Sequence, residues 1–338
     1  MPVVSEWVDP YGTPVRIFGG RAGPRWRPRV FAGNVVWSLL RQCFQYQFAY
    51  FLMPGLQVLA GVPIARLLGK RVVMKFSGSG EVSKLKECKL GRIELLLLRW
   101  LAHRIMVLNT GMMEEAADAG FSKAQLMWMP NPVDTEEFCP CCEGTRSDLR
   151  AALGLSGEAL VIVYVGRLSP EKELPSLLGA FARIAPGHPE AILALVGDGP
   201  SRATLAAAVS NLGLGEKVRF TGVVSAADVL KWLQASDVFA LVSSLEGFPC
   251  SLIEAMSAGL PSIVTDIPAN TQLIEHETHG LLVPLRDEES IAAGMLRLLG
   301  DRGLRTRLGS SARSRIRENY SSEKVAQQYE ALFRGLLH

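Results

Sequence analysis

Six short apolar runs alternate with helical segments over the second half of the chain, and this alternation constrains the fold more than any other feature. The runs are rich in Val, Leu, Ile and Ala, and Gly, Pro, Asp or Ser residues separate them from the helical segments. They occupy residues 160–165, 191–196, 217–220, 237–242, 261–265 and 280–283. Strands that alternate with helices form a parallel sheet with helices on both faces. The sequence therefore predicts an α/β domain that binds ligands beyond the carboxyl ends of its strands.

Two glutamates, Glu246 and Glu254, follow the fourth of these runs and are separated by seven residues. Glu246 lies at the predicted carboxyl end of a strand, and residues 251–258 predict a short helix. Both carboxylates and the backbone N–H groups of the first helical turn could face one ligand. Carboxylates accept hydrogen bonds from sugar hydroxyls, and a helix N-terminus attracts phosphate. A structural alternative stays open, because Ser251-x-x-Glu254 also has the form of a capping box.

A second strand, turn and helix start occurs earlier, at residues 166–172. Ser169 is a predicted N-cap, with Pro170 at the first helical position. Arg167 and Lys172 lie on either side of this helix start, so both cations could converge on one anion. Two cations and a helix dipole predict a phosphate site. Taken singly, either cation would be assigned to the solvated surface instead.

These elements resemble retaining glycosyltransferase family 4. Four motifs occur in the family's order: Gly-Arg-Leu-x-Pro-Glu-Lys from Gly166, Gly-Asp-Gly-Pro from Gly197, Phe-Thr-Gly from Phe220 and Glu-x7-Glu from Glu246. The segment Met-Pro-Asn-Pro-Val-Asp from Met129 is similar to the family's interdomain segment. By itself, the Gly-Asp-Gly motif favours a tight turn after a strand. The resemblance implies an α/β GT-B fold, in which two Rossmann-like domains face each other across a cleft.

The resemblance also implies roles for the site residues. Arg167 and Lys172 would neutralise a departing diphosphate, Glu246 would hold hydroxyls of the donor sugar, and Glu254 would hold the ribose. The other implied donor-binding positions are Gly166, Gly247, Phe248, Pro249, Cys250, Ser251 and Leu252. The donor would be a UDP-sugar or GDP-sugar, from which a hexosyl group passes to an acceptor hydroxyl with retention at the anomeric carbon. No metal ion or other cofactor is implied, since fixed cations would stabilise the departing diphosphate.

The first hundred residues match the family poorly. Residues 1–28 predict irregular structure with one short strand at 15–18, whereas family members begin with a strand and a Gly-rich loop. We therefore expect that the first βαβ part of the N-terminal domain is missing. Residues 130 to about 147 contain Pro, Cys and acidic residues without periodicity and predict an irregular linker. The predicted domains are a partial N-terminal, acceptor-side domain with this linker at 1–146 and a C-terminal nucleotide-sugar-binding domain at 147–320. Residues 321–338 predict a helix that returns to the N-terminal domain.

No charged residue occurs within residues 42–65, and this length would permit a membrane span. Four Gln and two Pro residues interrupt the run, so a buried strand at 47–52 and a helix at 56–68 are favoured. The helix predicted at 91–102 is rich in Leu. We interpret its Leu-rich face as core, with membrane attachment as the less favoured alternative.

The strand predicted at residues 70–76 ends in a Gly-rich loop that begins at Ser77. Ser77 stands where many family members carry a histidine implicated in acceptor handling. The loop suits close approach of a ligand, and a plain turn is the equally favoured alternative.

Charge is distributed unevenly along the chain. Residues 1–110 contain 16 Lys and Arg against 5 Asp and Glu, whereas the remainder contains 20 against 28. Such a basic first part favours an anionic membrane surface or an acidic acceptor as partner. Nucleic acid is not expected, since no recognisable nucleic-acid motif accompanies the charge.

The six cysteines do not form the pattern of a disulfide framework in a chain of this length. Cys139, Cys141 and Cys142 cluster, but their spacing does not suit a four-ligand zinc site. We interpret them as linker thiols in a reducing cytoplasm, and no cleavable signal peptide is evident. The expected location is cytoplasmic, with peripheral attachment to the inner membrane face as a further expectation.

Two functions therefore stay open: a retaining glycosyltransferase, which we favour, and a non-catalytic nucleotide-sugar-binding or interaction protein derived from a truncated transferase. A dinucleotide-dependent oxidoreductase is not expected, because no G-x-G-x-x-G follows the first strand of either half.

Overall fold

The computed structural model describes residues 3–8, 14–18 and 27–337. The chain forms two compact units, one of Met1–Met129 with Leu332–His338 and the other of Pro130–Ala331. The division falls at Met129, ahead of the boundary that we predicted at residue 146. The segment from 130 to 146, which was expected to be a linker, belongs to the second unit.

In the first unit, four strands form a parallel sheet in which their order along the chain is also their order in space: Phe48–Phe51, Arg71–Lys75, Arg104–Val107 and Leu126–Trp128. The elements of this unit are β1 (Val3–Val8), β2 (Pro14–Phe18), α1 (Arg27–Arg41), β3 (Phe48–Phe51), α2 (Leu56–Leu67), β4 (Arg71–Lys75), α3 (Glu81–Glu87), α4 (Lys89–Leu101), β5 (Arg104–Val107), α5 (Thr110–Asp118) and β6 (Leu126–Trp128). The central strands β4 and β5 are buried apolar runs, as parallel strands covered on both faces are.

The strand predicted at 15–18 is confirmed as β2, whereas the prediction of irregular structure was wrong for β1 and for the start of α1, and residues 9–13 and 19–26 lie outside the described ranges. β1 pairs with β2 as an antiparallel two-stranded sheet, and helix α1 begins at Arg27. The uncharged run at 42–65 forms strand β3 and helix α2, as predicted. Within the part of the chain that the structure describes, no helix is both long and apolar enough to cross a membrane.

The second unit contains all six strands that the sequence predicts, each within two residues of the predicted bounds. Its elements are α6 (Glu143–Ala152), β7 (Leu160–Val165), a 3₁₀ turn (Pro170–Lys172), α7 (Leu174–Ile184), β8 (Ala191–Val196), α8 (Arg202–Asn211), β9 (Val218–Gly222), α9 (Ala226–Ala235), β10 (Val238–Leu241), α10 (Cys250–Ser257), β11 (Ser262–Thr265), α11 (Pro268–Thr271), β12 (Leu281–Val283), α12 (Glu288–Gly300), α13 (Arg302–Asn319) and α14 (Ser322–Leu337). The last residues of α14 belong to the first unit.

The order of the six parallel strands is β12-β11-β10-β7-β8-β9. From β7 the chain proceeds outward through β8 and β9, and from β10 it proceeds outward in the opposite direction. β7 and β10 are therefore neighbours at the point where the strand order reverses, with Ile162 opposite Val238. Open α/β sheets bind ligands at this switch point, beyond the carboxyl ends of the two strands. The loops that leave β7 and β10 are the two elements that carry the predicted site.

Helix α6 lies partly in the segment that we predicted as an irregular linker. Its Arg146 and Arg150 each place an Nη2 atom 2.7 Å from a carboxylate oxygen of Asp237, and Asp237 also accepts the Val161 N–H at 2.8 Å. Helix α6 is held at the amino end of the sheet by these ion pairs and not by an apolar stripe. These arginines line a cavity of about 420 Å³ at the edge of the sheet opposite to the predicted site.

Candidate active site

The loops after β7 and β10 meet through one ion pair. Lys172 Nζ lies 2.7 Å from Glu246 Oε1, and the two side chains are only 17% and 9% exposed. We predicted Lys172 as part of a phosphate site and Glu246 as a sugar-binding carboxylate. The fold places the two side chains in direct contact at the switch point of the sheet.

Further hydrogen bonds fix the loop after β7, two from the loop after β10 and one from β7 itself. The Glu171 carbonyl accepts the Ser244 N–H at 2.9 Å and the Ser244 hydroxyl at 3.1 Å. The Tyr164 hydroxyl donates to the Arg167 carbonyl at 2.8 Å. Burial raises the pKa of Tyr164, and the nearby carboxylates of Glu246 and Glu171 raise it further, so this hydroxyl stays a neutral donor. The bonds from Ser244 and Tyr164 position the loop before any ligand binds.

Ser169 is the N-cap residue and Pro170 the first helical residue, as predicted, but the turn that they begin is short and the Ser169 side chain makes no capping hydrogen bond. The Pro170–Lys172 segment is a single 3₁₀ turn, and α7 begins only at Leu174. The cause is Glu173, which has a φ of 50° and whose carboxylate pairs with Arg286 at 2.6 Å. The Ser169 hydroxyl donates to Glu171 instead, and this bond lowers the pKa of Glu171. The positive charge available here therefore comes from side chains, with little helix dipole.

Arg167 is the second cation of the predicted phosphate site. Its side chain is exposed, and it makes no ion pair with any residue in the described ranges. It acts electrostatically on Glu171, whose pKa it helps to lower. Arg167 is thus placed to meet an anion arriving from solvent, whereas Lys172 is held in the interior by Glu246.

The Gly-Asp-Gly motif packs against the backbone of the loop after β7, at distances that only glycine allows. A Cβ atom at Gly197 would lie 2.0 Å from the Gly166 carbonyl oxygen, and one at Gly199 would lie 2.3 Å from the Leu168 carbonyl oxygen. The Asp198 carbonyl accepts the Leu168 N–H at 3.0 Å. The turn after β8 packs directly on the backbone of the loop after β7. This arrangement agrees with the tight turn that we favoured for the motif.

The capping-box alternative for Glu254 is wrong. Helix α10 begins at Cys250 with Pro249 in the N-cap position, and none of the described side chains caps it. Glu254 is half-buried, and burial raises its pKa to about 7, with the negative charge of Glu137 adding to the rise. Glu254 therefore has no capping role, and its pKa lies near neutral pH. Carboxyl groups with such raised pKa values are frequent at ligand-binding sites.

At two of the predicted donor-binding positions the side chain is buried in the core of the second unit. Phe248 is 8% exposed and packs on the ring of Tyr320 at a centroid distance of 6.2 Å. Leu252 is fully buried, and its N–H donates to the Pro249 carbonyl at 3.0 Å. Leu252 therefore offers neither its side chain nor its N–H to a donor. Cys250 is exposed, and its Sγ accepts from Asn131 Nδ2 at 3.6 Å.

The Gly-rich loop of the first unit is occupied by carboxylates of its own unit. The Ser77 N–H donates to Glu81 at 3.1 Å, while Glu115 accepts the N–H groups of Gly80 at 3.1 Å and Ser83 at 2.6 Å. The N–H groups of Ser77, Gly80 and Ser83 are therefore already used within the unit. These contacts favour the turn over the ligand-contact interpretation of this loop.

Sequence reasoning missed Tyr164 and Ser244. Both stabilise the loops, and neither stands in a motif; Tyr164 was included only as part of an apolar strand. In the described ranges, no group of three or more His, Cys, Asp or Glu side chains is arranged to hold a metal ion.

The fold and the paired loops define an open α/β protein of the Rossmann type, with its candidate site at the switch point of the sheet. The sequence profile of the family "Glycosyl transferases group 1" matches residues 145–315, which are just over half of the chain. The chain belongs to this family.

Two curated relatives each match between half and two thirds of the chain. N-acetyl-alpha-D-glucosaminyl L-malate synthase of Bacillus anthracis is 31% identical over 191 residues, which are 56% of this chain and 49% of that protein. The UDP-Gal:alpha-D-GlcNAc-diphosphoundecaprenol alpha-1,3-galactosyltransferase of Escherichia coli is 31% identical over 209 residues, which are 61% of this chain and 53% of that protein. The chain spans about half the length of these relatives.

Solved structures show the fold of nearly the whole chain. HepE of Anabaena, crystallised with UDP, superposes with a TM-score of 0.79 at 20% identity and covers 93% of this chain and 84% of its own. Sucrose-phosphate synthase of Thermosynechococcus elongatus gives a TM-score of 0.79 at 24% identity, with 95% and 83% covered. The α/β GT-B fold that the resemblance implied is confirmed.

Proposed function

We propose that the chain transfers a hexosyl group from a nucleoside-diphosphate sugar to an acceptor hydroxyl, with retention at the anomeric carbon. The observation that carries this proposal is the Lys172–Glu246 ion pair at the switch point of the second unit. The ligands of a structurally similar protein support the proposal, because HepE was crystallised with UDP and with UDP-glucose. The acceptor would be a glycolipid or polysaccharide precursor, in keeping with the lipid-linked acceptor in the name of the Escherichia coli relative.

The ion pair matches the chemistry of a nucleotide-sugar, whose anionic diphosphate is joined directly to a neutral, hydroxyl-rich ring. Lys172 would bind the diphosphate, and Glu246 beside it would accept hydrogen bonds from the ring hydroxyls. Without a donor the two charges neutralise each other, which lowers the cost of burying either one. The pair would thus hold both groups in place before the donor arrives.

The same charges would act on the reaction step. The bond between the anomeric carbon and the diphosphate oxygen breaks, and its electron pair leaves with the diphosphate. The acceptor oxygen forms the new bond on the same face of the ring, and its proton passes to the departing diphosphate. Negative charge grows on the diphosphate, where Arg167 and Lys172 would stabilise it more strongly than in the ground state. Positive charge grows on the sugar ring, beside Glu246. Cationic side chains supply this stabilisation in the proposal, so we propose that no metal ion is needed.

We further propose that the reaction takes place in the cytoplasm, where nucleotide-sugars are the donors. The binding step can be tested on the chain as it stands, by calorimetry with UDP and, separately, GDP. Hydrogen bonds to charged groups contribute about 1.5 to 3 kcal/mol, so Lys172→Met should weaken nucleotide binding about tenfold to a hundredfold. Lys231→Met is the matched control, because Lys231 pairs with Asp228 at 2.8 Å on the exposed surface of α9.

Removal of Lys172 alone leaves Glu246 partly buried without its cation, so a loss of stability could imitate a loss of binding. The double variant Lys172→Met/Glu246→Gln removes both charges and should recover most of the stability without recovering nucleotide affinity. Unchanged affinity in Lys172→Met would remove Lys172 from the site. Nucleotide binding with no release of nucleoside diphosphate from any donor tested would favour the non-catalytic binding protein.

A further inference from the structure

Helix α4 turns an apolar stripe toward solvent. Four large apolar side chains along one side of the helix are about half exposed or more: Leu90 (57%), Ile93 (49%), Leu96 (50%) and Trp100 (77%). A surface helix normally carries polar residues on that side and apolar residues on the side that faces the core. Our interpretation of the Leu-rich face as core therefore accounts for only one of two apolar faces.

The buried face of α4 is formed by other residues. Gly91, Glu94, Leu95 and Leu98 pack inward, toward α2 and α3. Glu94 is 2% exposed, and its Oε1 accepts the Gly55 N–H at 2.9 Å. Since Glu94 is the helix's single acidic residue, the exposed side of α4 carries no negative side chain.

The exposed charges beside the stripe are all positive on this helix. Lys89, Arg92 and Arg99 are exposed, and α3 adds exposed Lys84 and Lys86 next to one exposed acid. An outward apolar stripe with Trp and flanking cations is the pattern of a helix that lies in a membrane interface. The cations complement anionic lipid headgroups, and the apolar side chains gain by leaving water.

We propose that α4 docks the first unit on an anionic lipid bilayer, with Ile93, Leu96 and Trp100 inserted among the lipid headgroups and Lys89 and Arg92 against the lipid phosphates. This proposal goes beyond the donor site, because it assigns a membrane surface to a helix of the other unit. Such docking would bring a lipid-linked acceptor to the enzyme. Binding by this face requires neither a nucleotide nor a completed reaction.

Sedimentation with vesicles of phosphatidylcholine, with and without 30% phosphatidylglycerol, tests the proposal directly. The chain should bind the anionic vesicles, and Ile93→Ser/Trp100→Ser should lower the apparent affinity at least tenfold, because each substitution removes a large inserted side chain. Val223→Ser/Leu212→Ser is the matched control, since both residues are exposed apolar residues of the second unit, at 83% and 45%. The control should bind like the parent chain.

A charge variant separates the two contributions. Lys89→Gln/Arg92→Gln should weaken binding to the anionic vesicles and reduce its salt dependence, while the apolar variant should keep that salt dependence. Brominated lipids should quench the fluorescence of Trp100 in the parent chain, and Trp100→Leu should lose that part of the quenching.

Equal vesicle binding by the parent chain and by Ile93→Ser/Trp100→Ser would overturn the proposal. Concentration-dependent dimers that the same variant abolishes, with no vesicle binding, would assign the stripe to a second copy of the chain and would also overturn it. Nucleotide binding measured on these variants should be unchanged. A failure of membrane docking is thereby distinguishable from a failure of the proposed donor site.

Discussion

Glu254 should make nucleotide binding depend on pH between 6 and 8. Burial raises the pKa of this carboxyl to about 7 in the free protein. If Glu254 accepts hydrogen bonds from ribose hydroxyls, the ligand prefers the ionised form, so its binding should tighten as pH rises and should release a proton. Affinity rises with pH because a protonated carboxyl group cannot accept the hydrogen bonds of the ligand's hydroxyl groups as well as a carboxylate does.

The expected size follows from the pKa. A group with a pKa of about 7 is ionised in about one molecule in ten at pH 6 and in about nine in ten at pH 8. Apparent affinity scales with the binding-competent fraction, so the dissociation constant should fall close to tenfold across this range. Hydrogen bonds to a charged group contribute about 1.5 to 3 kcal/mol, which is large enough for the ionised form to dominate binding.

Calorimetry with UDP at pH 6, 7 and 8, in buffers of different ionisation enthalpy, measures both the affinity and the protons released. Glu254→Gln should bind more weakly at pH 8 and should lose this part of the pH dependence, while the exposed Glu216→Gln should behave like the parent chain. Protonation of the nucleotide itself contributes equally to every variant and cancels in the comparison. A pH slope in Glu254→Gln equal to that of the parent chain would refute the assignment of Glu254 to the ligand.

Three further predictions concern the site loops and the first unit. Gly199→Ala should lower nucleotide affinity severalfold or more, because its Cβ would meet the Leu168 carbonyl at 2.3 Å, whereas Gly215→Ala, with open space around its Cβ, should be neutral in the same calorimetric assay. Glu246→Gln should mainly lower kcat rather than raise the donor KM in assays of nucleoside diphosphate release, because its charge helps most when the sugar becomes cationic; equal, small effects on both would contradict this role. Burial raises the pKa of Glu94 from 4.5 to about 7, so the folded state binds more protons in this window and stability should fall by at most about 3 kcal/mol as pH rises from 4.5 past 7. Glu94→Gln should flatten this fall in urea unfolding at pH 5 and 8, and an unchanged fall would count against the burial of an ionisable Glu94 as its cause.

The sequence by itself determined the six strands of the second unit and the loops that leave β7 and β10. Each strand is a short apolar run bounded by turn residues, which is a local signal that needs no knowledge of distant contacts. The site motifs were visible for the same reason, since glycine and proline mark where the backbone must turn. Helix α6 was missed because ion pairs to Asp237, and not an apolar period, hold it in place.

Only the tertiary structure decided which groups meet. Lys172 and Glu246 are distant in sequence, and they become partners because the reversal of strand order makes β7 and β10 neighbours. The structure also replaced the helix start at Ser169 by a single 3₁₀ turn, through the left-handed backbone of Glu173 and its pairing with Arg286. In α4, a helix with two apolar faces, the periodicity could not say which face is buried. The face with Leu95 and Leu98 packs on α2 and α3, and Trp100 stays exposed to solvent. A helix buries only the side that a neighbouring element covers, and that neighbour is set by the tertiary structure.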